Sequence, residues 1–261
     1  MLRNIFLKTI YEKRWSTLGW SIGIIALTMM TTLFFPTFKK AFGESLNEIP
    51  ESMKAFIGDA STYQTLGGYV DVQVIAQMVF LTIIMAVILG SGLIAGDEGS
   101  GTLQSLLAQP VKRSRVFIQK YGAMAVLTLI ATSLVFIAVL ASGLLINESM
   151  DWWRMAQATF GMWLITLVFG IAAFALGAIT GKRALAGSLA GMVAFVSYII
   201  TSLATTVTAL KIPNTLSPFY YFNTPSIIKY GIDWGNVVVL VSIIVVLNVV
   251  SYIVFNKRDI R

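Results

Sequence analysis

Six long apolar stretches constrain what this chain of 261 residues can fold into. None contains a charged residue, and each is long enough as a helix to cross a hydrocarbon core about 30 Å thick. They are residues 17–36, 72–95, 121–146, 155–181, 185–210 and 235–255. Only 12% of the chain is charged, against about 25% in soluble domains. The sequence predicts an all-α membrane protein with six transmembrane helices, in a single domain over residues 1–261.

The distribution of basic residues predicts how the spans are oriented. Of the 19 basic residues, thirteen fall on the side that carries both ends of the chain. They are Arg3, Lys8, Lys13, Arg14, Lys112, Arg113, Arg115, Lys120, Lys182, Arg183, Lys257, Arg258 and Arg261. Because cytoplasmic loops are enriched in Lys and Arg, both termini are expected in the cytoplasm. The net charge of +7 is then an orientation signal, and nucleic-acid binding is not expected.

Residues 1–15 precede the first stretch and mix apolar with basic side chains. Ile5, Phe6 and Ile10 alternate with Lys8 and Lys13 at a spacing that suits an amphipathic helix. Such a helix lies in the membrane interface. We expect an interfacial N-terminal helix, which is either a plain anchor or an elbow that also contacts a cytoplasmic partner.

The residue inventory argues against chemistry within the chain. Histidine and cysteine are both missing from the sequence, which removes the commonest zinc sites, Ser-His-Asp triads and disulfides. Gly181-Lys182 resembles the end of a phosphate-binding loop, but Leu176 and Arg183 replace the glycine and hydroxyl residue that such a loop needs. We expect no enzyme activity, no metal and no cofactor bound by this chain.

The loop over residues 97–115 carries the most specific pattern. Asp97 and Glu98 stand at the predicted membrane exit, and Ser100 or Thr102 is placed to cap a short helix after a glycine-rich turn. That helix carries three leucines on one face and stops at a proline. An apolar face exposed to the cytoplasm predicts a partner surface. The alternatives are a solvated pair of acids and a leucine face lying on lipid.

This loop resembles the signature of the permease subunits of ABC-2 type exporters, in which acids precede a pattern close to G-T-L-E-x-L-L-x-x-P-x-x-R. In that family the segment is a coupling helix seated in the ATP-binding subunit. The matching residues are Asp97, Glu98, Gly101, Thr102, Leu103, Leu106, Leu107, Pro110 and Arg113. Gln104 stands where the family usually has Glu. Residues 216–221 are similar to the family's L-S-P-F segment, and residues 255–260 are similar to its terminal F-x-x-R-D-L.

The resemblance implies a permease subunit without an ATPase site of its own. It implies a cytoplasmic ABC ATPase subunit that binds Mg-ATP, a second permease that is identical or paralogous, and a prokaryotic cell membrane. The largely apolar, neutral spans favour an amphipathic or lipophilic cargo, such as a drug, peptide antibiotic or lipid. The alternatives are a membrane binding, sensor or immunity module without transport, and an ion-gradient-driven carrier. The last is disfavoured because no predicted span holds a charged residue.

Overall fold

The computed structural model describes residues 4–42, 63–108, 110–204, 206–222 and 224–258. Six helices in these ranges are long and apolar enough to cross a membrane. The described residues contain no strand. The prediction of an all-α membrane protein with six spanning helices is therefore confirmed.

The helices follow one another through short connections. The long ones are α1 (Ile5–Leu33), α4 (Ala76–Leu93), α7 (Arg113–Leu145), α8 (Trp152–Thr180), α9 (Arg183–Leu203) and α13 (Trp234–Lys257). The short ones are α2 (Phe35–Phe42), α3 (Leu66–Tyr69), α5 (Ala95–Gly99), α6 (Thr102–Leu107), α10 (Lys211–Asn214), α11 (Pro218–Phe222) and α12 (Thr224–Tyr230). A π-helical segment, Val70–Ile75, joins α3 to α4, so that the second span begins at Leu66.

The predicted N-terminal helix is present as the first part of α1. Asn4 caps it, because its side chain accepts a hydrogen bond from the Phe6 N–H at 3.0 Å. The 29 residues of α1 extend about 44 Å, more than the hydrocarbon core requires. The same Phe6 N–H lies 3.3 Å from the Gln119 side-chain oxygen on α7. The start of α1 is therefore held against α7.

The core of the bundle is α8, and helices α4, α7, α9 and α13 all pack against it. The crossing of α4 and α8 is the tightest point, because a Cβ on Gly90 would lie 2.3 Å from the Gly170 carbonyl oxygen. Small residues at helix crossings let backbones approach closely inside a membrane. The side chains of α1, α9 and α13 are largely exposed, as expected for the periphery of a membrane bundle.

The expectation that no span holds a charged residue is wrong for the spanning helices of the structure, and two of their charged residues, Asp71 and Lys120, are buried. Asp71 lies in the π-helical segment of the second span and is 4% exposed, and its Oδ1 has no hydrogen-bond partner among the described residues. Lys120 lies in α7 and is 3% exposed. The sequence-based limits stopped at each charge, whereas both helices continue through it. For Lys120 the physical reason is an ion pair with Asp97.

The fifth span also differs from its predicted limits, because α9 ends at Leu203 and not at residue 210. The chain then turns through short helices to α11. Ser217 holds this segment against α9. Its hydroxyl donates to the Ser197 carbonyl at 3.0 Å and accepts from Thr201 Oγ1 at 2.8 Å. It also accepts from the Phe219 N–H at the start of α11.

Candidate functional site

The connection between α4 and α7 folds as two short helices at the end of the bundle where the described chain begins and ends. Gly101 separates α5 from α6 in the left-handed region, at φ 73°. A glycine adopts this conformation without the steric cost of a side chain. The hydroxyls of Ser100 and Thr102 donate back to the Asp97 carbonyl, at 3.2 and 3.1 Å. They therefore stabilise the turn after α5, whereas the predicted side-chain cap of the second helix is not formed.

Asp97 anchors this connection to α7. Its carboxylate pairs with the Lys120 ammonium group, which also donates to the Leu93 carbonyl at the end of α4. Because Lys120 is almost fully buried, its charge needs a partner of opposite sign. The pair thus fixes the exit of the second span against the entry of the third.

A second set of contacts, which we call the Glu98 clamp, comprises Glu98, Arg113, Gly181 and Arg258. The Glu98 carboxylate pairs with the Arg258 guanidinium group, and their side chains are 13% and 18% exposed. Arg258 Nη1 donates to the Ala178 carbonyl at 2.7 Å, and Arg113 Nη1 donates to the Arg258 carbonyl at 2.6 Å. The clamp therefore joins α5 to the starts or ends of α7, α8 and α13.

Gly181 has no side chain and so leaves room for the Glu98 and Arg258 side chains. It ends α8 at φ 67°, in the left-handed region. A Cβ at this position would lie 2.7 Å from Arg258 Nη2 and 2.8 Å from both carboxylate oxygens of Glu98. A residue with a side chain would therefore be strained in this conformation and would have to displace the ends of the Glu98 and Arg258 side chains.

The leucine face of α6 is more buried than the sequence predicts. Leu103 is fully buried in an apolar cluster that includes Val116 and Phe117 of α7, and Leu106 and Leu107 are partly buried against the same cluster. The expectation of an exposed leucine face is wrong for Leu103, which the chain's own bundle covers, whereas Leu106 and Leu107 stay partly exposed. Gln104 and Ser105 on α6, like Thr102, are exposed instead.

The structure brings most of the predicted site residues into one connection. Two of them, Asp97 and Glu98, form internal ion pairs, Arg113 binds the Arg258 carbonyl, and Pro110 is exposed between α6 and α7. Sequence reasoning did not assign Lys120, Gly181 or Arg258 to this site. Arg258 lies in the terminal motif, so that its presence was signalled although its pairing with a residue 160 positions away was not.

A groove follows α4 between α1 and α9. Its first part is a cavity of about 650 Å³, lined by Tyr69, Gln73 and Gln77 and by residues of α1. Its second part, of about 330 Å³, lies between α4 and α9 and is lined almost entirely by apolar side chains. Phe80 lines both parts, and its ring lies 4.5 Å from the Tyr198 ring. The groove therefore changes along its length from amide-bearing to apolar.

The sequence model of the family described as "ABC-2 family transporter protein" matches residues 3–260 of the chain. The match covers all six spans, both short helices of the α4–α7 connection and the Glu98 clamp. No curated protein matches the chain.

Proposed function

This chain belongs to the ABC-2 family of transporter proteins, and we propose that it is the permease subunit of an ATP-driven exporter. It is a multi-pass membrane protein of the family that forms the membrane domain of an ABC transporter and associates with an ABC ATPase. Export as the direction of transport, the cargo, a second permease copy and a prokaryotic cell membrane are parts of the proposal.

The observation that carries the proposal is the way in which α5 and α6 are fastened to the spans. The Asp97 pair joins them to α7, and the Glu98 clamp joins them to α7, α8 and α13. A displacement of this connection therefore moves several helices as one body. Such rigid-body movement is a standard way to turn a local event into a change across a whole domain.

In this proposal the ATPase subunit docks on the exposed face of α6, around Thr102, Gln104 and Ser105. The partner binds Mg-ATP through its own phosphate loop, and hydrolysis takes place there. Leu103, Leu106 and Leu107 transmit the movement, because they pack α6 onto the cluster that contains α7. The excess of basic residues supports a cytoplasmic position for this end of the bundle.

The groove along α4 supports an amphipathic or lipophilic cargo. Gln73 and Gln77 offer amide groups in one part, whereas the other part is apolar. A molecule with a polar head and an apolar body satisfies both parts at once. We place a second permease, identical or paralogous, over this groove, with α1 and α9 at its sides. The cargo would then pass between the two subunits.

A mild-detergent pull-down of the tagged chain from its native membranes tests the central claim. We expect an ABC ATPase subunit in the eluate, with ATPase activity. Gln104→Arg adds charge to the exposed face of α6, and it should reduce ATPase recovery by about tenfold, which corresponds to roughly 1.4 kcal/mol. Thr215→Arg adds the same charge at an exposed position after α10 and serves as the matched control. Undiminished recovery and transport with Gln104→Arg would contradict this docking surface.

Asp71 is buried, and its Oδ1 has no hydrogen-bond partner among the described residues. This favours the ion-gradient alternative, because transporters use acidic groups inside the membrane to bind ions. The two mechanisms separate in cells that are given a protonophore or depleted of ATP. Our proposal expects transport to stop on ATP depletion while the ion gradient is held. Transport that survives ATP depletion and stops with the protonophore would establish the ion-gradient carrier. A preparation that functions without any ATPase would establish the binding module.

A further inference from the structure

A separate cavity of about 370 Å³ lies at the opposite end of the bundle from the Glu98 clamp. It opens between α8 and α13 and is covered by the segment that contains α11 and α12. We call it the α8–α13 cavity and define it by Leu164, Tyr221, Phe222, Asp233, Asn236 and Leu240, which line it. It shares no lining residue with the groove along α4.

The lining of the α8–α13 cavity includes one negatively charged residue, Asp233. Asp233 caps α13, because its Oδ1 accepts a hydrogen bond from the Gly235 N–H at 2.8 Å. No hydrogen bond among the described residues uses its other carboxylate oxygen. Two cations lie at the same end of the bundle. Arg154 is paired with Asp151 at 3.3 Å, and the Lys229 ammonium lies 5.4 Å from the Tyr230 ring centre. Within the part of the chain that the structure describes, neither cation forms an ion pair with Asp233.

The lining of the cavity combines two kinds of chemistry. Tyr221 and the buried Phe222 supply aromatic rings to the same cavity that Asp233 lines. Aromatic rings next to an acid are the recurring recognition site for organic ammonium groups. Leu164 and Leu240, which are almost fully buried, add apolar surface to the lining, and such surface suits a hydrocarbon tail.

The rim of the cavity is already in place in this structure. Gly231 adopts a positive φ of 89°, and the Gln157 side-chain oxygen accepts a hydrogen bond from the Ile232 N–H at 3.3 Å. The chain before α13 is thereby tied to α8. A pocket that exists before the ligand arrives loses less conformational entropy on binding.

We propose that the α8–α13 cavity binds the organic ammonium head of an amphipath, with the head at Asp233 and Tyr221 and the tail on Leu164 and Leu240. The ligand is either a membrane lipid with an ammonium headgroup or a cationic single-chain amphipath. This site is independent of the proposed coupling to an ATPase, because the binding described here needs no nucleotide.

Native mass spectrometry of the full chain in maltoside micelles tests the proposal. The probes are dodecyltrimethylammonium and dodecyl sulfate, and then phosphatidylcholine and phosphatidylglycerol with the same acyl chains. We expect the ammonium probes to be retained over their anionic counterparts. Retention of both ammonium probes assigns the site to lipid headgroups. Retention of dodecyltrimethylammonium alone assigns it to single-chain amphipaths.

Two pairs of variants locate the binding. Asp233→Asn removes the charge but keeps a residue that caps helices well, and it should lower retention of the ammonium probes about fivefold or more. Glu12→Gln also removes one negative charge, at an exposed position at the other end of the bundle, and should leave retention unchanged. Tyr221→Leu should lower retention, whereas Tyr221→Phe keeps the ring and should not.

The proposal is overturned if Asp233→Asn retains the ammonium probes as well as the parent protein, if the anionic probes are preferred, or if no probe is retained. None of these results would bear on ATPase recovery in the pull-down, which depends on the other end of the bundle. The two proposals can therefore fail separately.

Discussion

Replacing Gly181 by alanine should weaken the Glu98 clamp in two ways. The residue has φ 67°, and an L side chain in the left-handed region costs roughly 1–2 kcal/mol. The new Cβ would also lie 2.7 Å from Arg258 Nη2 and 2.8 Å from the Glu98 carboxylate oxygens. These distances are shorter than real Cβ contacts, so that the ends of the Glu98 and Arg258 side chains must move and their ion pair is disturbed.

The expected loss follows from the burial of the pair. The side chains of Glu98 and Arg258 are 13% and 18% exposed. Removing one partner of a buried pair costs about 3–5 kcal/mol, and a displaced pair should cost less, about 1–2 kcal/mol. Together with the backbone cost, Gly181→Ala should lower the free energy of unfolding by about 2–4 kcal/mol. For a chain of this length that lowers Tm by roughly 5–15 °C.

The assay is the fraction of detergent-purified protein that stays monodisperse by size-exclusion chromatography after heating. Gly191→Ala is the matched control, because a Cβ on Gly191 meets nothing within 4 Å. In an Arg258→Ala background, Gly181→Ala should cost less than it does alone, since neighbouring changes are not additive. A Tm for Gly181→Ala within about 1 °C of the parent protein, or strict additivity with Arg258→Ala, would refute this account of the clamp.

Three further substitutions test the packing by the same heating assay. Gly90→Leu should yield no monodisperse protein, because even a Cβ there would lie 2.3 Å from the Gly170 carbonyl oxygen; a normal elution peak would contradict this crossing. Ser217→Ala removes a hydroxyl with three hydrogen-bond contacts and should cost about 1–3 kcal/mol, and an unchanged Tm would show that these bonds add little. Leu103→Ala leaves a cavity in the cluster and should lower the free energy of unfolding by about 2–5 kcal/mol. Gln104→Ala, at an exposed position, should leave it unchanged. Equal effects of the two substitutions would argue against the burial of Leu103.

The six spans could be predicted from the sequence because each depends on local composition. A hydrocarbon core admits about 20 apolar residues in succession, and that condition is met within each stretch. The ends of the spanning helices could not be predicted in the same way, because a charge ends an apolar stretch in the sequence but need not end a helix. Lys120 remains inside α7 since Asp97, 23 positions earlier, supplies a counter-charge. No local pattern reports a pairing of that kind.

The leucines of α6 show how an amphipathic pattern determines a face but not what covers it. Their spacing correctly placed Leu103, Leu106 and Leu107 on one side of a short helix. The inference that this side needs a partner assumed that the chain itself had no apolar surface to offer. The cluster around Val116 and Phe117 provides one. The exposed side chains of α6 are those of Thr102, Gln104 and Ser105, and the proposed docking surface lies there.

Two sequence motifs that separately resemble the family lie next to each other in the structure. Residues 97–113 and the terminal segment resemble the family in two places far apart in the chain, and the sequence gives no reason to join them. In the structure they meet, because Glu98 pairs with Arg258 and Arg113 binds the Arg258 carbonyl. If α6 docks the ATPase, the end of α13 moves with it, and Arg258→Ala should then reduce transport more than it reduces ATPase recovery. Equal losses of transport and recovery would instead assign Arg258 to the docking surface itself.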